Sequence, residues 1–438
     1  MIMSQLITLA VLIAVVVALI WDKIRADVVA LTGAAVLLMT GVVRPVEVQG
    51  AFASPAIIAL ASLFVIAYAM ELSGLLDAAI ARAQRLCQRI GQAGLWVLIA
   101  ISGAASAFLN NTPIVVLGAP VVRDVAKSLG LSPKPFLIPL SYAAVLGGCC
   151  TLIGTSTNLL VNDMASVAGQ PRFGIFEITP VGAIVALAGG LYLVLFSPLL
   201  MRGAKEVEDE TSQTALVMPF EPGLAGGQIG LAASFAEHSR FRPAAAIASG
   251  MVFVGVVALA ALNVAPIAAC AFAGAVLLIL MRVLTAEEAY SGLRPEVLML
   301  IAGMVVLGIA FDVTGLAASV TAGLIYSLDG LSPFLALVII YGVTLFATEL
   351  LSNATVAVLF TPIAVSLAEA LQVSPRPFLV AVMIAGSAAF ATPFGYQTNV
   401  LVYQMGGYSY LDFMKIGIPL NLITWAVGVA AIHAFFPF

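Results

Sequence analysis

Residues 132 to 137 read Ser-Pro-Lys-Pro-Phe-Leu and residues 374 to 379 read Ser-Pro-Arg-Pro-Phe-Leu, so one phrase recurs 242 positions later in a chain that is 62% hydrophobic. Other pairs keep nearly that distance: Asn111-Thr112 with Asn353-Ala354, Asn158 with Asn399, and Glu71 to Leu75 with Asp312 to Leu316. A duplicated apolar chain has few options. Only 9% of its residues are charged, against about a quarter in soluble domains, so most of it belongs in lipid. Internal repeats whose hydrophobic segments are broken by Gly, Pro and polar residues are the mark of a secondary transporter.

The first half reads as helices 5–21, 27–43 and 54–76, an amphipathic stretch 78–91, a helix-turn-helix 93–127, a broken helix 135–168 and a helix 178–200. The second half repeats that order with helices 243–262, 264–281 and 294–313, a stretch 315–328, a helix-turn-helix 332–372, a broken helix 376–405 and a helix 414–436. The expected fold is an all-α polytopic membrane protein of two repeats, 1–201 and 243–438, joined by a polar linker 202–242. The linker is read as a flexible cytoplasmic connection. The first apolar run lacks a basic leader, so it is expected to be retained rather than cleaved.

Letting each helix-turn-helix enter and leave on one face sorts the charges. Fifteen of the eighteen Lys and Arg residues fall on one side, leaving Arg44, Arg172 and Arg376 on the other. The positive-inside rule makes the first side cytoplasmic. Five crossings per repeat, each repeat also carrying a re-entrant hairpin that the charge sort does not separate from two full crossings of the same parity, invert the second repeat relative to the first and place both termini outside. The expected location is the cell (inner) membrane, as a multi-pass protein. The stretch 78–91, with Arg82, Arg85 and Arg89 at helical spacing, suits an interfacial helix.

Cys87, Cys149, Cys150 and Cys270 show no metal or redox spacing, and His238 and His433 stand apart from the repeated motifs. No basic cluster with interleaved aromatics points to nucleic acid. The paired motifs hold no Ser-Lys, paired-Asp or His-rich set, so enzymatic activity is not expected. Sodium/proton or arsenite antiport stays open as an alternative.

Chemistry is concentrated in two turns and two breaks. The turns read Phe108-Leu109-Asn110-Asn111-Thr112-Pro113 and Leu351-Ser352-Asn353-Ala354-Thr355. Bare amides and open carbonyls survive at membrane depth only where protein or a water-filled cavity satisfies them. The breaks run Gly147-Gly148-Cys149-Cys150-Thr151-Leu152-Ile153-Gly154-Thr155-Ser156-Thr157-Asn158 and Ala391-Thr392-Pro393-Phe394-Gly395-Tyr396-Gln397-Thr398-Asn399. A turn opposite a break makes a cage of hard oxygens fit for sodium, and helix N-termini there favour an anion. Neither turn contains Arg or Lys. Glu349, three residues before Ser352, has Ala107 as its counterpart; it is a candidate for tuning the second cation site or carrying a coupling proton.

These motifs resemble those of the divalent anion/sodium symporter family, within the wider ion transporter superfamily, over essentially the whole chain. Family members carry Ser-Asn-Thr at each hairpin tip, matched here by Asn110-Asn111-Thr112 and Ser352-Asn353-Ala354. The resemblance implies one sodium site at Asn111 and Gly154 and another at Ser352, Asn353 and Ala391. It implies a small dianion, sulfate or a dicarboxylate, held by Asn111, Thr112, Thr155, Asn353, Thr392 and Pro393, with sodium or a proton as the coupling ion and no organic cofactor. It further implies scaffold and transport domains, an elevator motion and a homodimer. Asn110 stands where the family has Ser, and Ala354 replaces the second Thr. The wording of turns and breaks is most similar to a prokaryotic and algal branch linked to sulfate uptake. Many of that branch carry ligand-binding domains in the central linker; none is seen here, so regulation through them is not expected.

Overall fold

Proline, which has no N–H to lose in a first helical turn, opens helices at Pro45, Pro55, Pro243, Pro295 and Pro333. The computed structural model describes residues 3–21, 24–75, 78, 90–201, 241–262, 264–316, 319, 331–393 and 395–438. Among them all regular structure is helical. The first part of the chain forms α1 (Met3–Trp21), α2 (Ala26–Met39), α3 (Pro45–Phe52), α4 (Pro55–Leu72), α5 (Gln92–Ser106), α6 (Asn111–Ser128), α7 (Lys134–Gly148), α8 (Ser156–Val167) and α9 (Thr179–Leu200). The second forms α10 (Pro243–Ala261), α11 (Ile267–Leu280), α12 (Ala286–Ser291), α13 (Pro295–Val313), α14 (Pro333–Ala347), α15 (Asn353–Ala370), α16 (Arg376–Ala385), α17 (Gln397–Gly406) and α18 (Tyr410–Phe435). Among the described residues the apolar helices, helix-turn-helices and broken helices come in the same order in both parts, with α3 and α12 added to the expected set.

Five helical stretches, 45–72, 179–200, 243–261, 353–370 and 410–435, are long and apolar enough to cross a membrane by length and composition. Leu187 is 74% exposed and Val254 65% exposed on such helices, which is the arrangement of side chains whose solvent is hydrocarbon rather than water.

Two helices differ from the expected spans. The helix anticipated at 27–43 stops at Met39, because Gly41 turns the chain at φ +72°, and α3 follows, its start fixed by the Glu47 carboxylate accepting from the Arg44 N–H at 2.7 Å. A short α12 starts likewise, with Glu288 accepting from the Thr285 N–H at 2.7 Å. Neither is long enough to span a membrane by itself. All but the ends of the stretches 78–91 and 315–328 and of the linker 202–242, together with Cys87 and His238, lie outside the described residues.

The packing is reciprocal. Helix α4 lies on α11 and α2 lies on α13; α5 lies on α7 and α14 on α16; α7 lies on α17 and α16 on α8; α9 and α18 pack on each other. The loop ahead of α9 wraps the start of α16: the Arg376 guanidinium sits 4.1 Å over the Phe173 ring, donates to Glu177 (3.0 Å from Nε) and to the Pro171 carbonyl (3.1 Å). Its counterpart is Lys134, at the start of α7, whose ammonium lies 5.9 Å over the Tyr408 ring. Arg172 and Arg376, two of the three cations set apart by the charge sort, thus come to neighbouring positions.

Arg376→Gln removes an ion pair, in which two guanidinium nitrogens meet one Glu177 oxygen, together with a cation–π contact. It is expected to destabilise the protein by about 1–3 kcal/mol, read as a lower midpoint of thermal unfolding in detergent. Lys134→Gln, with the longer ring contact, is expected to cost less.

Candidate functional site

Each hairpin tip is built by the same local chemistry. Helix α5 ends at Ser106, and four residues later Asn110 caps α6, its side chain accepting from the Thr112 N–H at 3.4 Å. In the second half Ser352 caps α15, accepting from the Thr355 N–H at 3.2 Å. A cap residue must leave helical geometry to take that bond, so each tip is a turn and not a continuous helix. Behind the tips, Ser106 Oγ donates to Asn111 Oδ1 at 2.5 Å and Thr348 Oγ1 donates to Asn353 Oδ1 at 2.8 Å.

The breaks face the tips through matching bonds. Thr151 Oγ1 donates to the Ala107 carbonyl, and Thr392 Oγ1 to that of Glu349 at 3.3 Å. Asn158 Nδ2 donates to the Thr151 carbonyl at 2.9 Å, and Asn399 Nδ2 to the Thr392 carbonyl at 3.3 Å. Every pair is separated by 241 or 242 residues. The unwound backbone that lipid would not tolerate is therefore tied down by side chains of its own half.

Close approach by α9 and α18 completes the support. A Cβ at Gly182 would stand 2.7 Å from Cys150 Cα, and one at Gly417 would stand 2.7 Å from Ala391 Cα and closer still to the Phe390 carbonyl. Only glycine lets these helices seat against the breaks.

Four oxygens crowd the first tip. A Cβ on Gly148 would stand 2.8 Å from Asn111 Oδ1 and 3.3 Å from the Gly154 carbonyl; one on Gly154 would stand 2.5 Å from the Gly148 carbonyl and 2.9 Å from that of Ala107. Uncharged hard oxygens are the donors an alkali cation takes. Among the described residues no three His, Cys, Asp or Glu side chains group as for a transition metal. Asn111 and Gly154 are thus neighbours.

The second tip departs from the first at Glu349. Its carboxylate accepts from the backbone N–H groups of Phe390 (2.8 Å), Ala391 (2.7 Å) and Thr392 (2.9 Å) and from Asn421 Nδ2 (2.7 Å). The side chain therefore caps the second break and does not face open water. Ala391 turns its N–H to this carboxylate, Asn353 lies against Thr348, and Ser352 is exposed with its hydroxyl 2.7 Å from that of Thr355.

Between the halves, Asn111 Nδ2 donates to the Tyr396 hydroxyl at 2.8 Å, and Thr112 Oγ1 to Gln397 Oε1 at 3.5 Å. Thr155, the residue before α8, turns its hydroxyl toward Thr157 of its own helix at 3.5 Å. Among the described residues no hydrogen bond joins Asn111 to Asn353; the tips are linked through the breaks. Pro393 is buried in the second break, and Thr392 is half-buried beside Glu349. Ser106, Thr348, Asn421 and Arg294 were not anticipated at the site, and Tyr396 and Gln397 were anticipated only as part of the second break, with no role of their own. Ser106 and Thr348 were findable, being hydroxyls 242 residues apart. The others face the site only through tertiary contacts.

Paired helix tips meeting broken helices, within a set of membrane-crossing helices, define a multi-pass secondary transporter and not an enzyme. A family model described as citrate transporter matches residues 16–374 and 350–438, and the chain belongs to that family, in keeping with the divalent-anion transporter resemblance of its motifs. Over 95% of its length it is 25% identical to an uncharacterized transporter of Synechocystis sp., covering 94% of that protein. A 105-residue part, 22% of this chain, is 46% identical to a probable sodium/sulfate cotransporter of Chlamydomonas reinhardtii, covering 12% of it. The fold is shared with the crystal structure of the Alcanivorax borkumensis YdaH transporter, at TM-score 0.54 and 14% identity over 88% of this chain and 86% of that one.

Proposed function

We propose that the protein is a cation-coupled symporter of a small dianion, with sodium as the coupling ion. The observation that carries this reading is the crowding of Asn111 Oδ1 and the Ala107, Gly148 and Gly154 carbonyls at the first tip, with a second tip of matching build facing the other break. One cation would bind at Asn111 and Gly154 with the carbonyls of Ala107 and Gly148, the other at Ser352, Asn353 and Ala391. The anion would lie between them, held by Asn111, Thr112, Thr155, Asn353, Thr392 and Pro393. Helices α6, α8, α15 and α17 all begin at a tip or a break, and their positive ends, with the bound cations, supply the field that admits a dianion.

In this reading residues 1–201 and 243–438 are inverted repeats joined by the cytoplasmic linker 202–242. Helices α5–α9 and α14–α18 form the moving transport unit, the remaining helices form a scaffold that pairs in a homodimer, and motion is of the elevator type. The protein sits in the inner membrane with both termini outside. Glu349 holds the second break in shape and adds a fixed negative charge beside the second cation. Its four donors need an acceptor on both carboxylate oxygens, which favours this role over that of a coupling proton carrier.

The names of the family and of the partial relative set the substrates to try. Uptake of labelled sulfate, succinate and citrate into proteoliposomes, with and without an inward sodium gradient, tests the proposal. Sodium-driven uptake of one dianion is expected, with Asn111→Ala and Asn353→Ala each reducing it at least about tenfold through the loss of one amide ligand. Uptake indifferent to sodium and to both asparagines would sink it.

A further inference from the structure

Glu349 and Asp163 are carboxylates held in opposite ways. Glu349 takes four N–H donors, as an ionised group away from water must. Asp163, near the end of α8, is 3% exposed, yet its Oδ2 has no hydrogen-bond partner. Both ends of a carboxylate are oxygen, so turning the group supplies no donor on that side. Arg172 is the one described cation in ion-pair range, 3.7 Å from Oδ1 and 46% exposed, too far for a hydrogen bond. The Ser54 hydroxyl, whose oxygen caps α4, is the one neutral side chain that bears on the carboxylate.

Helix α8 lies where the moving unit meets the scaffold. It packs on α15 and α16 of the first and on α4 and α13 of the second. Met164, beside Asp163, reaches α13, where a Cβ on Gly308 would stand 3.3 Å from its methyl. The described charged side chains of those four helices are Glu71, Glu296, Glu369 and Arg376, and Arg376 is taken by Glu177. The place matching Asp163, 241 residues on, is held by Gln404, which is uncharged and exposed. Its helix, α17, packs on α6 and α7 and has no like contact with the scaffold. One helix end is covered by scaffold, and its counterpart is open.

Resting on the elevator reading above, we propose that Asp163 is a proton-operated latch between the moving unit and the scaffold. In the conformation described it carries a proton on Oδ2, because a bare charge there costs far more than a bare hydroxyl. When the unit crosses, the two halves exchange surroundings: the end of α17 goes under the scaffold and the end of α8 comes out to water. Asp163 then gives its proton to water and faces Arg172 as an ion, and it takes a proton up again before it is covered. Acid favours the covered state and base releases it. Gln404, with nothing to ionise, is indifferent.

The test uses the full-length protein with Asp163→Asn, which copies the neutral acid in size, and with Arg172→Gln. As pH rises from about 5 to about 9, the thermal-unfolding midpoint of Asp163→Asn is expected to gain on that of the wild type. The unfolded chain releases the proton that the folded one keeps, so the relative gain is up to about tenfold in the folding equilibrium per pH unit, until the folded protein releases it too. Arg172→Gln is expected to leave the midpoint unchanged at acid pH. In proteoliposomes, sodium-driven uptake of labelled sulfate or succinate is expected to rise more steeply with pH in the wild type than in Asp163→Asn. A gap in midpoint that does not widen with pH, Arg172→Gln as harmful as Asp163→Asn at every pH, or an Asp163→Asn protein that does not fold marks an ordinary buried ion pair and overturns the proposal. A widening gap with equal pH-dependence of uptake in the two proteins overturns the latch. Should neither anion be taken up, the symport reading falls, while the midpoints still decide whether Asp163 holds a proton.

Discussion

Glu349→Gln is expected to lower the initial rate of sodium-driven dianion uptake by about 100-fold. The carboxylate takes three backbone N–H groups of the second break and the Asn421 amide within 2.7–2.9 Å. Glutamine offers one carbonyl and turns an NH2 toward donors, so at least one buried N–H is left facing another. Hydrogen bonds to a charged acceptor contribute about 1.5–3 kcal/mol each, and a loss of about 2.7 kcal/mol is a factor of about 100. Uptake and thermal unfolding should be measured on the same preparation. A variant that transports at the wild-type rate removes Glu349 from the site's support. A proton-carrying Glu349 has a different signature: the glutamine variant would lose accumulation but keep anion exchange at a normal rate.

Gly417→Ala is expected to be among the most damaging single-methyl changes at the described glycines. Its Cβ would enter the Phe390 carbonyl and approach Ala391 Cα to 2.7 Å. Those atoms are backbone, and they belong to the segment that Glu349 holds, so no side-chain rotation relieves the overlap. Overpacking of this kind costs about 1–3 kcal/mol or more, and the remaining strain falls on the second break. A lower unfolding midpoint together with loss of uptake is the expected pair of readouts, with Gly182→Ala acting likewise on the first break. Gly190→Ala and Gly255→Ala serve as controls, since a Cβ there meets nothing within 4 Å; each is expected to be neutral or stabilising by up to about 1 kcal/mol. Equal behaviour of all four variants would remove the significance given to the helix-to-break contacts.

Much of this architecture was legible because duplication prints itself at fixed spacing. Asn111 and Asn353, the Thr-containing breaks, Asn158 and Asn399, and the Gly182 and Gly417 pair could all be found by sliding the chain 235 to 242 positions along itself. Apolar run lengths then gave the helices around them. What spacing hides is whatever one half does to the other. Tyr396 lies 285 residues from Asn111, and no periodicity links a phenol in one break to an amide at the opposite tip. Glu349 was visible as an unmatched carboxylate, but its partners at 390–392 and 421 depend on how α14, α16 and α18 come together. Helices α3 and α12 were missed for a simpler reason. Their starts are written in short polar pairs, Arg44 with Glu47 and Thr285 with Glu288, which a search for apolar spans passes over.

The cross-half bonds also set a timetable for making the protein. Asn111, Ser141, Tyr142 and the Ile138 N–H all find partners at Tyr396, Asn399, Phe390 and Tyr408, between 248 and 285 residues later in the chain. At about 5–20 residues per second of synthesis, these polar groups of the first half wait roughly 10–60 s inside the bilayer for chain that has not yet left the ribosome. Until it arrives, water, lipid headgroups or the insertion machinery must satisfy them. The newborn first half is therefore at its most vulnerable to degradation while the second is still being translated, and the two halves supplied as separate chains have every bond they need to find each other.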